Sequence, residues 1–386
     1  MSLDKYLETI NYKIEQNSDD THKIVVSGND SADLDSIISS LIYAYISQQQ
    51  TTSKLYIPFI KVPLCDIDLR PEVKYVFDQV GVDTNNLICL NKVNMTGWKN
   101  KKDNKLDIIL VDHNQLTPPT SELKQCQVIG IIDHHVDENK YLDAPLRWIE
   151  MVGSCTSQVI LLLKDELKQL TVEDQKVIAK LALAPILVDT IGLKWEFGKT
   201  TQKDIDAFEI VSTILYNTKE IIQPAIDYYN NIESVKTKVS HLCTRDLLRK
   251  DYKEWTVNGY RIGTSSLSWY LSAWLDRDNY HQIVKETMAF MDERQLDMNV
   301  VLTSFDHSKN GGKYERELAF FIKNNKLLTI KEDMEKDQHI GLTPLQGNLN
   351  DKDIFIGFYQ QGNIKLSRKQ IWPIIQDLLK QLEKNQ

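Results

Sequence analysis

The sequence predicts an α/β protein of two domains, an N-terminal domain built on a parallel sheet followed by a smaller mixed α+β domain. Short apolar runs rich in β-branched residues, Lys23–Gly28, Asp107–Val111 and Gln127–Ile132, stop abruptly at polar or titratable side chains. Buried parallel strands behave this way where their carboxyl ends reach a ligand crevice. Segments with helical periodicity separate these runs, as in βαβ units. The length of 386 residues, with 42% hydrophobic and 26% charged, suffices for two cores.

The charge is unevenly divided. The chain carries a net charge of −8, and residues 205–386 hold 24 basic and 25 acidic side chains, leaving 22 and 29 for residues 1–204. Carboxylates that hold divalent cations produce such an excess, and so does a solvated acidic surface. The chain has no basic stripe interleaved with aromatics, so no nucleic-acid partner is expected. With no apolar window of membrane-spanning length and a polar first segment (Met1–Gln16), the expectation is a cytoplasmic protein with no membrane partner. Five scattered cysteines without Cys-x-x-Cys spacing argue against a disulfide framework or a thiolate zinc site, and are expected as small core residues.

In chain order, Lys23–Gly28 reads as a strand, and Asn29-Asp30-Ser31-Ala32-Asp33-Leu34-Asp35-Ser36 as the loop into a helix over Ile37–Ile46. N-capping accounts for one aspartate. Alternate spacing in extended backbone would aim both Asp33 and Asp35 the same way, as hard oxygen ligands. Leu55–Ile60, Arg70–Val80 and Asn86–Leu90 read as strand, helix and strand. Asp107–Val111 then runs into Asp112-His113-Asn114, and Gln127–Ile132 into Asp133-His134-His135. The small residues Gly153–Ser157 open a helix over Gln158–Leu167, either as a backbone cradle for a ligand or as a packing turn. The apolar helix Val172–Leu187 leads to Asp189, whose carboxylate needs a partner there.

Thr200–Tyr216 reads as helix and residues 217–238 as helix and linker. The domains are expected at 1–215 and 241–386, with a linker region over 216–240. In the second, Tyr260–Ser266, Met298–Ser304, Glu317–Ile322 and Asp353–Tyr359 read as strands. Trp269–Asp276, Tyr280–Asp292 and Ile371–Lys384 read as helices.

Strand ends and turns thus offer Asn29, Asp33, Asp35, Asp112, His134, His135 and Asp189, an oxygen-rich set suited to Mg²⁺ or Mn²⁺. The chain resembles the DHH phosphoesterase superfamily, named for the triplet present as Asp133-His134-His135. Gly28–Ser36 is similar to the first motif of its cytosolic exopolyphosphatases and the related Prune proteins. Val111-Asp112 and Val188-Asp189-Thr190 resemble the second and fourth motifs. Leu248–Lys253, Asp292–Asp297 and Ser367–Gln370 resemble the DHH-associated second domain.

The resemblance implies an active site in the cleft between the domains and two divalent cations, Mg²⁺ or Mn²⁺. Asp33 and Asp112 would hold one; Asp35, Asp112, His134 and Asp189 the other. His135, Lys253, Arg368 and Lys369 would contact substrate, with Asp112 and His135 central to catalysis and Asp133 orienting an imidazole. Arg368 offers a planar fork for phosphate oxygens. The expected activity is exopolyphosphatase, removing the terminal phosphate of linear inorganic polyphosphate. The rivals are an inorganic pyrophosphatase or short-chain nucleotide phosphohydrolase of the same superfamily, and a Prune-like regulatory binding protein. Pyrophosphatases of the superfamily carry His where Asn29 stands, whereas Asp112-His113-Asn114 is closer to their second motif. His113 is either a neighbour of the leaving phosphate or a satisfied polar residue.

Overall fold

A computed structural model describes residues 1–16, 22–93, 106–123, 126–306, 312–345, 349–351 and 354–382. The chain forms two compact units, Met1–Lys236 and Thr237–Gln386.

The first unit runs α1 (Leu3–Gln16), β1 (His22–Ser27), α2 (Leu34–Gln49), β2 (Lys54–Phe59), α3 (Pro71–Asp78), β3 (Leu106–Val111), β4 (Cys126–Asp133), β5 (Leu146–Ile149), α4 (Cys155–Leu162), α5 (Lys164–Leu167), α6 (Val172–Asp189), α7 (Gln202–Tyr216) and α8 (Gln223–Lys236). Its five strands lie in the order β2-β1-β3-β4-β5, with every pairing parallel. β1, β3 and the carboxyl-terminal half of β4 are almost wholly buried, which is why they read as apolar runs rather than as alternation. The order reverses direction between β1 and β3, so the loops after these two strands splay apart at their carboxyl ends. In open α/β sheets that is where ligands bind. The Asn29–Asp33 loop follows β1 and Asp112 follows β3.

Two local expectations change, on Asn86–Leu90 and on the cysteines, and one further strand, β5, is found. Asn86–Leu90 is not a strand: two short 3₁₀ turns flank a single bridge between Ile60 and Cys89, and the buried Leu87, Ile88 and Cys89 fill the core without a ladder. β5 went unread because all four of its residues are half-buried, which erases the alternation expected of a strand. Of the five cysteines only Cys89 and Cys155 are buried, while Cys65 and Cys243 are exposed. Much of 216–240 is helix α8, whose Ala225, Tyr228 and Ile232 are buried; the division between units falls at 236/237.

The second unit contains α9 (Thr244–Lys250), β6 (Tyr252–Val257), β7 (Tyr260–Leu267), α10 (Leu271–Arg294), β8 (Met298–Thr303), β9 (Glu317–Ile322), α11 (Leu328–Lys336), β10 (Leu342–Pro344), β11 (Leu349–Asp351), β12 (Ile354–Gln361) and α12 (Arg368–Leu382). The sheet order is β10-β12-β9-β8-β7-β6, with β11 also on β12, and only β7–β8 is parallel. One face packs Met298, Val300, Phe320 and Tyr359 against Ile330 and Met334 of α11 and Ile371 and Ile375 of α12. Asn279 (φ 51°) breaks α10, which is why it reads as two helices. The expected strand and helix starting at Asp353 and ending at Lys384 each run partly outside the described residues. Among the described residues no helix is long and apolar enough to cross a membrane.

The turn at Gly153 is packed to its limit, since a Cβ there would meet Thr190 Cγ2 at 2.5 Å, Lys199 O at 2.7 Å and Asp204 Oδ2 at 2.8 Å. Backbone and a buried carboxylate cannot yield cheaply. Gly153→Ala is expected to lower unfolding free energy by about 1–3 kcal/mol, measured by urea denaturation of the metal-free protein; an unchanged midpoint and slope would contradict this packing.

Candidate metal centre

Four carboxylates and an imidazole converge at the carboxyl edge of the first sheet. Asp112 follows β3 directly, is 2% exposed and has φ 61°, a left-handed conformation uncommon for a residue with a Cβ. Its amide donates to Ile132 O at 2.9 Å, so the neighbouring strand helps hold that turn. Asp112 Oδ2 accepts from Asn29 Nδ2 at 2.7 Å. Oδ1 is buried and makes no aligned hydrogen bond, although His134 Nε2 lies 3.0 Å away.

His134 explains that contact. Its Nδ1 lies 3.1 Å from Val152 O, an atom that can only accept, so Nδ1 carries a hydrogen, and in the neutral ring that tautomer turns the Nε2 lone pair toward Asp112 Oδ1. Asp35 Oδ2 is 3.9 Å from the same nitrogen. A lone pair facing carboxylate oxygens is repulsive unless a cation or proton lies between them. A separation of about 3 Å is what two ligands at right angles on one ion with ~2.1 Å bonds would show. The buried Asp112 Oδ1 without a hydrogen bond therefore fits a divalent cation.

Burial, followed by the Asp33 charge, pushes the Asp112 carboxyl up to about 7, with His134 pulling it back and Asp35 adding to the rise. Burial, then Asp35 and Asp33, drives Asp189 well above the carboxylate range, against the pull of His134 and Lys236. Buried acids raised by the charges of neighbouring carboxylates are what a cation site contains. Donor atoms of Asp112, His134 and His135 all lie within 4.8 Å of one another. Asp33 and Asp189 join the group through their charges.

Asp33 and Asp35 do not alternate in extended backbone. Asp33 is the exposed N-cap of α2, its Oδ1 accepting from Ser36 N at 3.0 Å, and Asp35 stands in the first helical turn. Helix geometry, not strand alternation, sends them to different places. Asn29 is likewise spent: its Oδ1 accepts from Ser31 N (2.9 Å) and Ala32 N (3.1 Å), which leaves the amide to orient Asp112.

Within the triplet, Asp133 is fully buried and its Oδ1 accepts from His134 N (2.8 Å), His135 N (3.2 Å) and His135 Nδ1 (2.8 Å). Asn114 Nδ2 donates to Asp133 Oδ2 at 2.5 Å and to Val136 O at 2.9 Å. Burial alone would raise Asp133, yet the His135 ring and Asn114 outweigh it and hold the carboxyl well below its ordinary range. Asp133 thus fixes the His135 ring. His113 is turned the other way, with Nδ1 on Val111 O at 2.9 Å and Nε2 3.5 Å from Lys61 Nζ. Burial and the Lys61 charge push it down to about 3, so it is neutral and satisfied.

Sequence reasoning missed several supports. Lys61 has a nearly inaccessible side chain and bonds Asp30 (3.1 Å) and Thr117 (2.5 Å), joining the loops after β1, β2 and β3. Burial would raise Asp30, but Lys61, Thr117 and His113 together lower it. Arg70 donates to the carbonyls of Ser31 and Asp66. Lys236, raised first by Glu233 and also by Asp189 and Asp33, is the last residue of α8. Pairing across loops leaves no local signal. In the second unit Arg368 opens α12 and its guanidinium grips Asp251 (Nη1 to O 3.0 Å, Nη2 to Oδ1 2.6 Å), so the expected phosphate fork is already engaged. Lys253, two residues from Asp251, lies on β6, and Lys369 follows Arg368.

Without metal, Asp112 binds its proton more tightly folded (about 7) than unfolded (3.8). Its stabilising effect is complete at low pH and is lost as pH rises toward 7. Chemical denaturation of metal-free protein from pH 4 to 8 should show a fall on the order of 4 kcal/mol from this residue, shallower in Asp112→Asn; parallel profiles would contradict the shift.

Two family models match, the DHH family N-terminal domain over residues 23–186 and the DHHA2 domain over 230–378. A Schizosaccharomyces pombe protein provisionally named an exopolyphosphatase is 30% identical over 92% of this chain and 91% of its own. Exopolyphosphatase PRUNE1 of Homo sapiens is 26% identical over 92% and 75%. The solved structure of a Methanococcus jannaschii protein, provisionally described as a family II inorganic pyrophosphatase, shares the fold with TM-score 0.61 at 20% identity, covering 92% of this chain and 99% of that one. With both domain models matched in order and a relative similar along almost its whole length, the chain belongs to the DHH phosphoesterase superfamily, an N-terminal DHH domain followed by a DHHA2 domain.

Proposed function

We propose that this protein is a metal-dependent phosphoanhydride hydrolase that removes the terminal phosphate of linear inorganic polyphosphate. The observation that carries the proposal is the buried Asp112 Oδ1, without an aligned hydrogen bond, 3.0 Å from His134 Nε2 and beside the charges of Asp33 and Asp35. The exopolyphosphatase names of relatives at 30% and 26% identity support polyphosphate as the substrate.

Asp33 and Asp112 would hold one Mg²⁺ or Mn²⁺, and Asp35, Asp112, His134 and Asp189 a second. When bound, such a pair polarises the phosphoryl group and lowers the pKa of the attacking water. The chain's own residues do the positioning. Asn29 holds one Asp112 oxygen, and Val152 sets the His134 tautomer. Asp133 holds the His135 ring through Nδ1, which orients its other nitrogen as a partner for phosphate. Lys253, Arg368 and Lys369 would meet the remaining substrate charge; phosphoryl transfer needs mainly such positioning and electrostatic stabilisation. Arg368 would enter already braced by Asp251.

Orthophosphate release should be followed with Mg²⁺ or Mn²⁺ on long-chain polyphosphate, tripolyphosphate and pyrophosphate in parallel. Turnover should be greatest on polyphosphate, with Asp112→Asn lowering kcat by about a hundredfold to a thousandfold, in the range of lost electrostatic stabilisation. Arg368→Ala should raise KM for polyphosphate while leaving Mn²⁺ affinity unchanged. Turnover of pyrophosphate alone would reassign the substrate, and an active Asp112→Asn enzyme would remove the metal assignment.

A further inference from the structure

The turn Gly153–Ser157 has no role in the chemistry above, yet it makes a dense set of hydrogen bonds beside it. We propose that this turn is a clamp that leaves Asp35 one oxygen for a metal, with Ser154 and Thr156 as positioning residues and Asp204 as their anchor. This rests on the proposal that Asp35 is a ligand.

The two oxygens of Asp35 are treated differently. Oδ1 accepts from Ser154 Oγ at 2.8 Å, Thr156 N at 2.9 Å and Thr156 Oγ1 at 2.7 Å, with Ser39 Oγ at 3.4 Å. That uses the acceptor capacity of one carboxylate oxygen. Oδ2 accepts from Cys155 N at 2.7 Å and faces His134 Nε2 at 3.9 Å. Both oxygens are therefore tied to the start of α4, Oδ1 by several donors and Oδ2 by one amide, and Oδ2 keeps acceptor capacity on the side of Asp112 and His134.

The clamp is itself held. Asp204 is fully buried and accepts from Gly153 N (2.8 Å), Ser154 N (3.2 Å) and Ser157 Oγ (2.7 Å). It also caps α7 by accepting from Thr201 N and Thr201 Oγ1, both at 2.8 Å. The amides of residues 153 and 154 thus go to Asp204, and those of 155 and 156 to Asp35. All four are taken by the chain's own carboxylates, so the turn does not serve as a phosphate cradle. Its small residues are needed because two buried acids and Thr190 crowd the same few ångströms. Fixing a ligand before the ion arrives removes a rotamer cost from binding, and losing such support typically weakens metal affinity about tenfold to a hundredfold.

The test is Mn²⁺ titration into the metal-free full-length chain by calorimetry, with the electron paramagnetic resonance of bound Mn²⁺ and a thermal melt on every variant. Thr156→Val deletes the hydroxyl at nearly constant shape, and Thr156→Ser restores it. Thr156→Val and Ser154→Ala should each weaken Mn²⁺ binding about tenfold to a hundredfold, with unchanged stoichiometry and an altered spectrum, and Thr156→Ser should match wild type. Should Thr156→Val not fold, Ser154→Ala, which removes a single hydroxyl, carries the comparison. Wild-type affinity in both hydroxyl variants alongside weakened binding in Asp35→Asn would overturn the clamp and leave the ligand assignment standing. Wild-type binding by Asp35→Asn would overturn the assignment and the clamp with it.

Discussion

Like-charge repulsion at the carboxyl edge of one buried sheet is the constraint around which the first unit is arranged. Burial together with the charges of Asp33 and Asp35 lifts Asp112 to about 7 and Asp189 well above the carboxylate range. Acids in such a place need donors. Ser36 N serves Asp33, the start of α4 serves Asp35, Asn29 serves Asp112, and the Lys236 charge offsets Asp189. Each donor takes some of the repulsion while leaving the group as a whole short of positive charge, which is the condition a divalent cation satisfies.

The loops at this edge are joined to one another as well as to their strands. Lys61 ties the loops after β1, β2 and β3, Asn114 ties the loop after β3 to the DHH triplet, and Asp204 ties the α4 turn to α7. Irregular backbone such as the left-handed Asp112 costs on the order of 1–3 kcal/mol and persists only where its surroundings over-determine it. Here the Ile132 carbonyl, the Asn29 amide and His113 bonded to Val111 supply that support. The two rings are oriented through Nδ1: the Val152 carbonyl turns Nε2 of His134 toward the carboxylates, and Asp133 holds His135.

Much of this was legible in the sequence. β1, β3 and the carboxyl-terminal half of β4 carry near-continuous apolar runs because both their faces are buried, and the abrupt change at Asp112 and Asp133 marks where polar groups enter that buried edge. The two-domain order and the parallel sheet follow from those runs together with the motif order. Asn86–Leu90 misled because a buried apolar run looks the same whether or not a partner strand lies beside it. β5 was invisible because its half-buried residues give no period.

What tertiary structure alone decided is how each polar group is used. Sequence puts Asp33 and Asp35 two residues apart, but the start of α2 at Leu34 makes one a cap and the other a buried acceptor for a turn about 120 residues away. Asn29 stands in the motif as a possible ligand, yet the loop's own amides take its oxygen. Arg368 offers a fork on paper and grips Asp251 in the fold. Apolar burial is a local property of strands and helices and is written in their periodicity. Hydrogen bonding between loops depends on which chain ends the sheet order brings together, and no window of sequence contains both partners.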